Sequence, residues 1–255
     1  MQMLKYESIF RSSDKGKIEY NGYKWQSLDD NSGDTVIAIK PKKLQDIAIY
    51  YPLVVKLVDD AVGLQDDIAI SLPASLYADV DARADILTRI WKETGKNAVA
   101  YPSGVLNVLS IPLEDDDGKL LVLDIGYNFV NFSLINLSNQ KPLYMKTLLF
   151  GLRYLLAKTG EITVNGAMEL LKKKKGEKIL SAYLEMITYR IHKEIEAIKE
   201  KEDRMALVGG IKHFNRNVDD DEFSNVKSIA IQSEMDSIDF GTAFIKVALQ
   251  RGRET

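Results

Sequence analysis

The segment LLVLDIGYNFVNFSLI, residues 120–135, gathers residue types that can do chemistry into one short span. An apolar run ends in Asp124, Gly126 follows, and alternating apolar and polar residues resume after Asn128. A carboxylate at the end of a buried strand needs a metal, water or hydrogen-bond donors beside it. Gly126 lets the backbone turn without a Cβ, and the successive N–H groups of Gly126, Tyr127 and Asn128 can then aim at one anion. Asp124 would sit near such a phosphate through hydrated magnesium, which favours carboxylate and water oxygens. The same residues also spell an ordinary β-hairpin in which Asp124 bonds its own turn.

Two other spans offer chemistry of a weaker kind. In LVGGIKHF, residues 207–214, a strand ending in Gly209 and Gly210 lets a flat ligand approach the backbone closely, or simply turns into a helix. In YPSGVLNVLS, residues 101–110, Ser103 sits on a strand-to-helix turn, where a hydroxyl can hold a water but is a poor base by itself. Read alone, that serine is a turn residue. His192 and His213 read as surface or packing residues, and the Lys172–Lys175 run, flanked by Glu169 and Glu177, as a solvated helix end. No Ser/His/Asp set, Walker loop, G-x-G-x-x-G or helix with paired metal-ligand spacing is present.

These residues need elements to position them. Residues 4–40 read as short strands, with Asn21-Gly22 a two-residue hairpin signal. Helical spacing runs from Leu44 to Val62 and again over ADVDARADILTRIWKETG, ending at Gly95. DDIAISL and NAVAYP read as buried strands, EDDDGK at 114–119 as a solvated turn, and KPLYMKTLLFG as a further strand. The pattern is helical from 151 to 203 with a break near 172–176. MALVGG and SIAIQ read as strands, and the tail IDFGTAFIKVALQRG as a short amphipathic helix. Strands and helices alternate twice over, which is α/β architecture in two related lobes.

The bulk numbers bound the class. A chain of 255 residues, 45% hydrophobic and 28% charged, has length and composition for a sizeable core. Its net charge of -3 draws it to no nucleic acid, and its lack of cysteine excludes disulfides, thiolate zinc sites and cysteine nucleophiles. The opening MQMLKYESIF is no signal peptide and no membrane-length apolar run occurs, so a soluble cytoplasmic protein is expected.

Taken in order, the segments IAISLPASLY, YPSGVLNVLS, LLVLDIGYNFVNFSLIN, TLLFGLRYLLAKTG, MALVGG and FGTAFIKVALQRG resemble the actin-like ATPases, especially the plasmid-partition actins of bacteria and archaea. The resemblance covers most of residues 5–252 and implies a two-lobed actin-like fold with ribonuclease H-like βββαβα lobes. It implies an N-terminal lobe over 1–119 and a C-terminal lobe over 120–255, the chain's end being able to pack back on the first. ATP or GTP with magnesium would be bound. Asp124, Gly126, Tyr127 and Asn128 would hold phosphates and metal, Gly209 and Gly210 would face the adenosine, and Arg190 or Glu194 would reach base or ribose. Ser103 would take the place of the usual water-positioning Gln or Glu, and FGTAFIKVALQRG that of the closing helix.

The family normally opens with a first phosphate hairpin of the form D-x-G-x-x-x-x-K, and this chain is read as lacking it, its N-terminal lobe as incomplete. Asn131 stands where the family's hairpin often has Asp, and Ile211 where a third glycine is common. The resemblance therefore implies self-assembly into filaments and plasmid segregation through a DNA-binding adaptor, with hydrolysis weakened or lost. A non-hydrolysing scaffold and a small-molecule kinase of the same superfamily are the alternatives.

Overall fold

A computed structural model describes residues 1–7, 9–28, 35–38, 43–106, 118–159, 169–170, 173–199, 202, 204–209, 224–240 and 244–250. The chain divides into two compact units, Met1–Ser103 with Phe223–Thr255, and Gly104–Glu222. The division falls at 103/104 and not at the expected 119/120. Val105 shows why: it is buried with Leu120, Val122, Ile135 and Leu137, so the chain joins the second core well before the acidic turn. Most of that turn, with Lys172, Gly210 and His213, lies outside the described residues.

The main sheet of unit 1 contains β1 (Gln2–Glu7), β6 (Asp67–Leu72), β7 (Asn97–Pro102), β12 (Asp236–Phe240) and β13 (Phe244–Leu249), in the order β1-β13-β12-β6-β7. β12 runs parallel to β6 and β6 to β7, while β13 is antiparallel to both its neighbours. A smaller sheet, in the order β3-β4-β2-β5, holds β2 (Ile9–Ser12), β3 (Ile18–Tyr20), β4 (Tyr23–Trp25) and β5 (Thr35–Ala38). Its β3–β4 turn is Asn21-Gly22, as expected. Both residues have positive φ, 51° and 75°, the pairing that a twisted two-residue hairpin demands.

The helices α1 (Gln45–Ala48), α2 (Tyr51–Val62), α3 (Ala74–Ala78) and α4 (Val80–Thr94) follow from local signals. Pro52 stands in the first turn of α2, where its missing N–H has no intrahelical partner to lose. Leu53, Val54, Leu57 and Val58 bury one face at helical spacing, and Gly63, at φ 63°, closes the end. Asp79 caps α4 by accepting the Ala82 N–H at 3.0 Å, and Gly95 at φ 74° ends it.

The closing segment departs from expectation. SIAIQ lies inside α7 (Ser224–Ser233), and the tail expected as a helix forms β12 and β13. Val226, Ile229 and Ala230 are buried at a 3–4 residue spacing while Ile231 is 60% exposed, so the Ile-Ala-Ile run spans the buried and the exposed side of a helix. In β13 the buried Ile245, Val247 and Leu249 recur every second residue, the strand period.

Unit 2 is built on the sheet β10-β9-β8-β11, from β8 (Lys119–Ile125), β9 (Val130–Asn136), β10 (Lys141–Leu148) and β11 (Arg204–Gly209). Only β11 runs parallel to its neighbour, β8. α5 (Leu152–Ala157) and α6 (Lys174–Ala197) cover one face. There Leu121, Leu123 and Ile125 meet Tyr183, Ile187, Ile191 and Ile195, a period of two packed against a period of four. The alternate residues Leu120 and Val122 face Val105 on the other side, so β8 is buried on both faces. No helix among the described residues is long and apolar enough to cross a membrane. Phe132, fully buried in this core, is a test of its integrity. Phe132→Ala is expected to cost about 3–5 kcal/mol, read as a lowered urea midpoint.

Candidate functional site

The predicted phosphate segment is a hairpin. Its last ladder pair is Ile125 with Val130, and the Gly126 N–H donates to the Phe129 carbonyl at 2.9 Å, which leaves Tyr127 and Asn128 as the loop. The Gly126 amide is therefore committed inside the hairpin, a correction to the reading that aimed amides 126–128 at an anion.

The loop's carbonyls are committed as well, to the start of α5. Gly151 N–H donates to Asn128 O at 3.2 Å, Leu152 N–H to Gly126 O at 2.9 Å, and Arg153 N–H to Tyr127 O at 2.8 Å. The first amides of a helix have no intrahelical acceptor, and here the hairpin supplies three. No cis peptide bond occurs among the described residues. In a planar trans unit the N–H points opposite to the C=O, so the amides of Tyr127, Asn128 and Phe129 face away from α5 together. Three successive amides on one side make a concavity suited to an oxyanion.

This arrangement depends on Gly151. A Cβ there would stand 2.5 Å from Phe129 N and from Tyr127 O, both backbone atoms. The corner before it is pinned too: the Tyr183 hydroxyl donates to Phe150 O, and the Arg190 guanidinium lies 4.3 Å from the Phe150 ring centre. Burial pushes the Tyr183 phenol well above its usual range, so it stays a donor.

Asp124 lies on the sheet face opposite α6 and is 8% exposed. Asn131 Nδ2 donates to its carboxylate at 3.1 Å, and Thr147 Oγ1 donates to Asn131 Oδ1 at 2.8 Å. This row crosses three strands and fixes the carboxylate within a buried polar network. Asn128 is buried, and its Oδ1 accepts from Arg153 Nη1 at 3.4 Å, which sets an exposed guanidinium beside the loop. Gly209, on β11, pairs with Ile125, so its backbone adjoins the hairpin.

Arg190 and Glu194 stand apart from this group. Glu194 accepts from Lys146 Nζ at 2.6 Å and from the Tyr144 hydroxyl at 3.1 Å, on the α6 face of the sheet. With Arg190 on Phe150, these two α6 residues lie on the face away from Asp124. Ser103 belongs to unit 1, where its N–H donates to Leu72 O at 2.8 Å beyond β7. Sequence reasoning missed Gly151, Arg153 and Thr147. The first carried a signal in the helix-leading glycine of FGLRYLLA, while Thr147 meets Asn131 through strand register and Arg153 reaches the loop through the docking of α5.

Two outcomes follow from this geometry. Gly151→Ala is expected to destabilise unit 2 by about 1–3 kcal/mol through overpacking, and to speed hydrogen exchange at amides 151–153. The Glu194 hydrogen bond holds the Lys146 ammonium above its ordinary 10.5. A raised lysine contributes stability in full below its unfolded value and loses it as pH climbs through the folded one. Both partners are about a third exposed, so Glu194→Gln should cost only about 0.2–1 kcal/mol at neutral pH. That difference should fade in strongly alkaline solution, followed by thermal melts across pH.

No protein-family model and no curated protein sequence matches the chain. Solved structures do. Ta0583, an archaeal actin homolog, is similar at 15% identity over 90% of this chain and 92% of that one, with a TM-score of 0.62. Its complex with ADP matches at 16% identity, 89% of each chain and 0.57. MreB5 of Spiroplasma citri bound to ADP matches at 9% identity, 89% and 88% coverage and 0.56. MamK, solved as a double helical filament, matches at 13% identity, 77% and 78% coverage and 0.51. At these identities the likeness is one of fold, and the chain has the actin-like α/β fold.

Proposed function

We propose that the chain is a nucleotide-binding actin-like protein that associates with copies of itself into filaments. The observation that carries the reading is the β8–β9 loop, whose carbonyls are bound by α5 so that amides 127–129 turn the other way, next to Asp124. That is the polarity a phosphate chain requires. The ligand is ATP or GTP with magnesium. No group of three His, Cys, Asp or Glu side chains suited to a metal occurs among the described residues. Magnesium is commonly held by substrate phosphates, water and one or two carboxylates, so the Asp124 row fits an ion that arrives with the nucleotide. Arg153 adds a cation at the loop, and the backbone of Gly209 offers a flat approach for the adenosine, with Gly210 next in the sequence.

The ADP held by Ta0583 and by MreB5, and the filament formed by MamK, support nucleotide binding and self-association by analogy of fold. Hydrolysis is weak in this reading, since Ser103 supplies a hydroxyl where the actin-like family uses an amide or acid. The finer task, moving plasmid DNA through a DNA-binding adaptor in the cytoplasm, rests on the sequence resemblance.

Sedimentation with and without ATP, GTP and magnesium, with phosphate release followed in parallel, tests the proposal. The chain is expected to pellet with nucleotide and to release phosphate slowly. Asp124→Ala is expected to weaken magnesium-nucleotide binding by about tenfold or more, from the loss of a charged partner. Pelleting indifferent to nucleotide would leave a scaffold, and failure to bind either nucleotide at millimolar concentration would sink the phosphate role of the hairpin.

A further inference from the structure

α4 has a buried face and, apart from it, an apolar strip that meets water. Ile86 and Ile90 are fully buried, and Lys56 of α2 meets Glu93 at 3.1 Å, which sets α2 on one flank of the helix. On the other flank run Val80, Ala84, Leu87 and Trp91. Spacings of four, three and four keep them within about 60° of one another around the axis. Val80 is 63% exposed and Trp91 57%, with Ala84 exposed and Leu87 half-buried. Single exposed apolar residues are ordinary, but four at seam spacing on one helix form a surface that can mate with another helix. α4 also packs on β7, the last strand of its sheet among the described residues, which carries no charged side chain.

The order of sizes along the strip selects its partner. Val80 and Ala84 are small, and Leu87 and Trp91 are large. Two copies of α4 laid antiparallel about a two-fold axis between Asp85 and Ile86 set Val80 against Trp91 of the second copy. The same axis sets Ala84 against Leu87 of the second copy, so a small side chain meets a large one at every level. A parallel pair would set Trp91 on Trp91 and Ala84 on Ala84, crowding one end and leaving the other loosely filled. The charges beside the strip are ordered in the same sense. Asp81 stands exposed near the start of α4 and Lys92 exposed near its end. An antiparallel pair joins like flanks, so Asp81 of each copy approaches Lys92 of the other. The neighbouring charges are engaged within the chain: Arg83 donates to Tyr77 O at 2.6 Å, and Asp85 meets Arg89 at 2.9 Å.

We propose that α4 is the contact of a two-fold pair, in which two copies of this chain lay their α4 helices antiparallel and Trp91 of each covers Val80 of the other. The contact uses no residue of the β8–β9 loop and no nucleotide, so it forms independently of the nucleotide-linked filament proposed above and gives that assembly a side contact. Trp91 supplies most of its area; a tryptophan near the rim of a strip of this kind is the side chain whose loss is felt most. α4 is 15 residues long, and one helix of that length covers less than a standard stable interface. The pair is therefore of the exchanging kind, in equilibrium with single copies.

The chain has no cysteine, so introduced thiols report the register directly. Full-length Val80→Cys and Trp91→Cys chains are oxidised with copper-phenanthroline, separately and mixed, and run on a non-reducing gel. Like positions of an antiparallel pair lie about 16 Å apart along the helices, out of disulfide reach, while position 80 faces position 91. The mixture is expected to give a covalent dimer and each variant alone to stay monomeric. Sedimentation velocity without nucleotide gives the second measure, with circular dichroism to confirm folding. The parent is expected to pair as its concentration rises, and Trp91→Asp to raise the dissociation constant about tenfold or more. Asp81→Lys and Lys92→Asp should each weaken pairing several-fold, and the two together should restore it. Nucleotide binding, measured on the same samples, is expected to stay at the parent's level, so failure of the nucleotide reading and failure of this contact are told apart. A parent that stays monomeric at every concentration, a folded Trp91→Asp that pairs as well as the parent, or variants that cross-link to themselves as readily as to each other would overturn the α4 contact.

Discussion

The missing side chain of Gly151 is the constraint on which unit 2 depends. With no Cβ in the way, the first turn of α5 comes close enough for three of its amides to reach carbonyls in the β8–β9 loop. One steric fact then settles three matters. It satisfies a helix start that would otherwise be short of acceptors, it anchors the two-residue loop, and it fixes the direction of the loop's peptide planes. The polarity of the candidate site is a by-product of helix docking. Tyr183 and Arg190, distant in sequence, enter the same chain of cause by holding Phe150, so α6 bears on the loop through the corner before α5.

The sheet keeps packing and chemistry on separate faces. Tyr144 and Lys146 on β10 serve the face under α6, where Glu194 meets them, while Met145 between them and Thr147 beyond them belong to the face of Asp124. A strand reverses side at each residue, so a one-residue slip of β10 would exchange the two sets. A buried carboxylate is costly unless it is bonded, and the Thr147–Asn131–Asp124 row meets that need from within the sheet. The aspartate is thereby held in place by register, which is more rigid than any loop.

What could be read from the sequence follows the range of the forces concerned. The Asn21-Gly22 turn, the ends of α2 and α4, and the Asp124 hairpin are set by residues within a few positions of one another, and they appear as read. What was not legible lies where neighbours in space are remote in the chain. Arg190 and Glu194 sit at helical spacing on a plausible helix, but which sheet face α6 covers is decided by the whole pattern of Ile and Tyr along it. The tail was misread because IDFGTAFIKVAL satisfies a helical and a strand period about equally over so short a span. Its partners, β1 and β6, lie at the other end of the chain, and only their pairing decides between the two.

That pairing also dictates how unit 1 must be completed. β12 stands between β13 and β6, and β13 between β12 and β1, so the two strands in the middle of the sheet are the last in the chain. Until they arrive, β1 and the β6–β7 pair have no common neighbour, and β6 presents an unpaired parallel edge rich in Ile, Ala and Leu. In unit 2 the β8–β9 hairpin comes first and everything later adds to it. In unit 1 the β12–β13 pair closes contacts as distant as Gln2 with Leu249, and such long closures are slow and entropically costly. The two units differ in where a hairpin falls among their described strands: β8–β9 comes first in the sheet of unit 2, and β12–β13 comes last in that of unit 1.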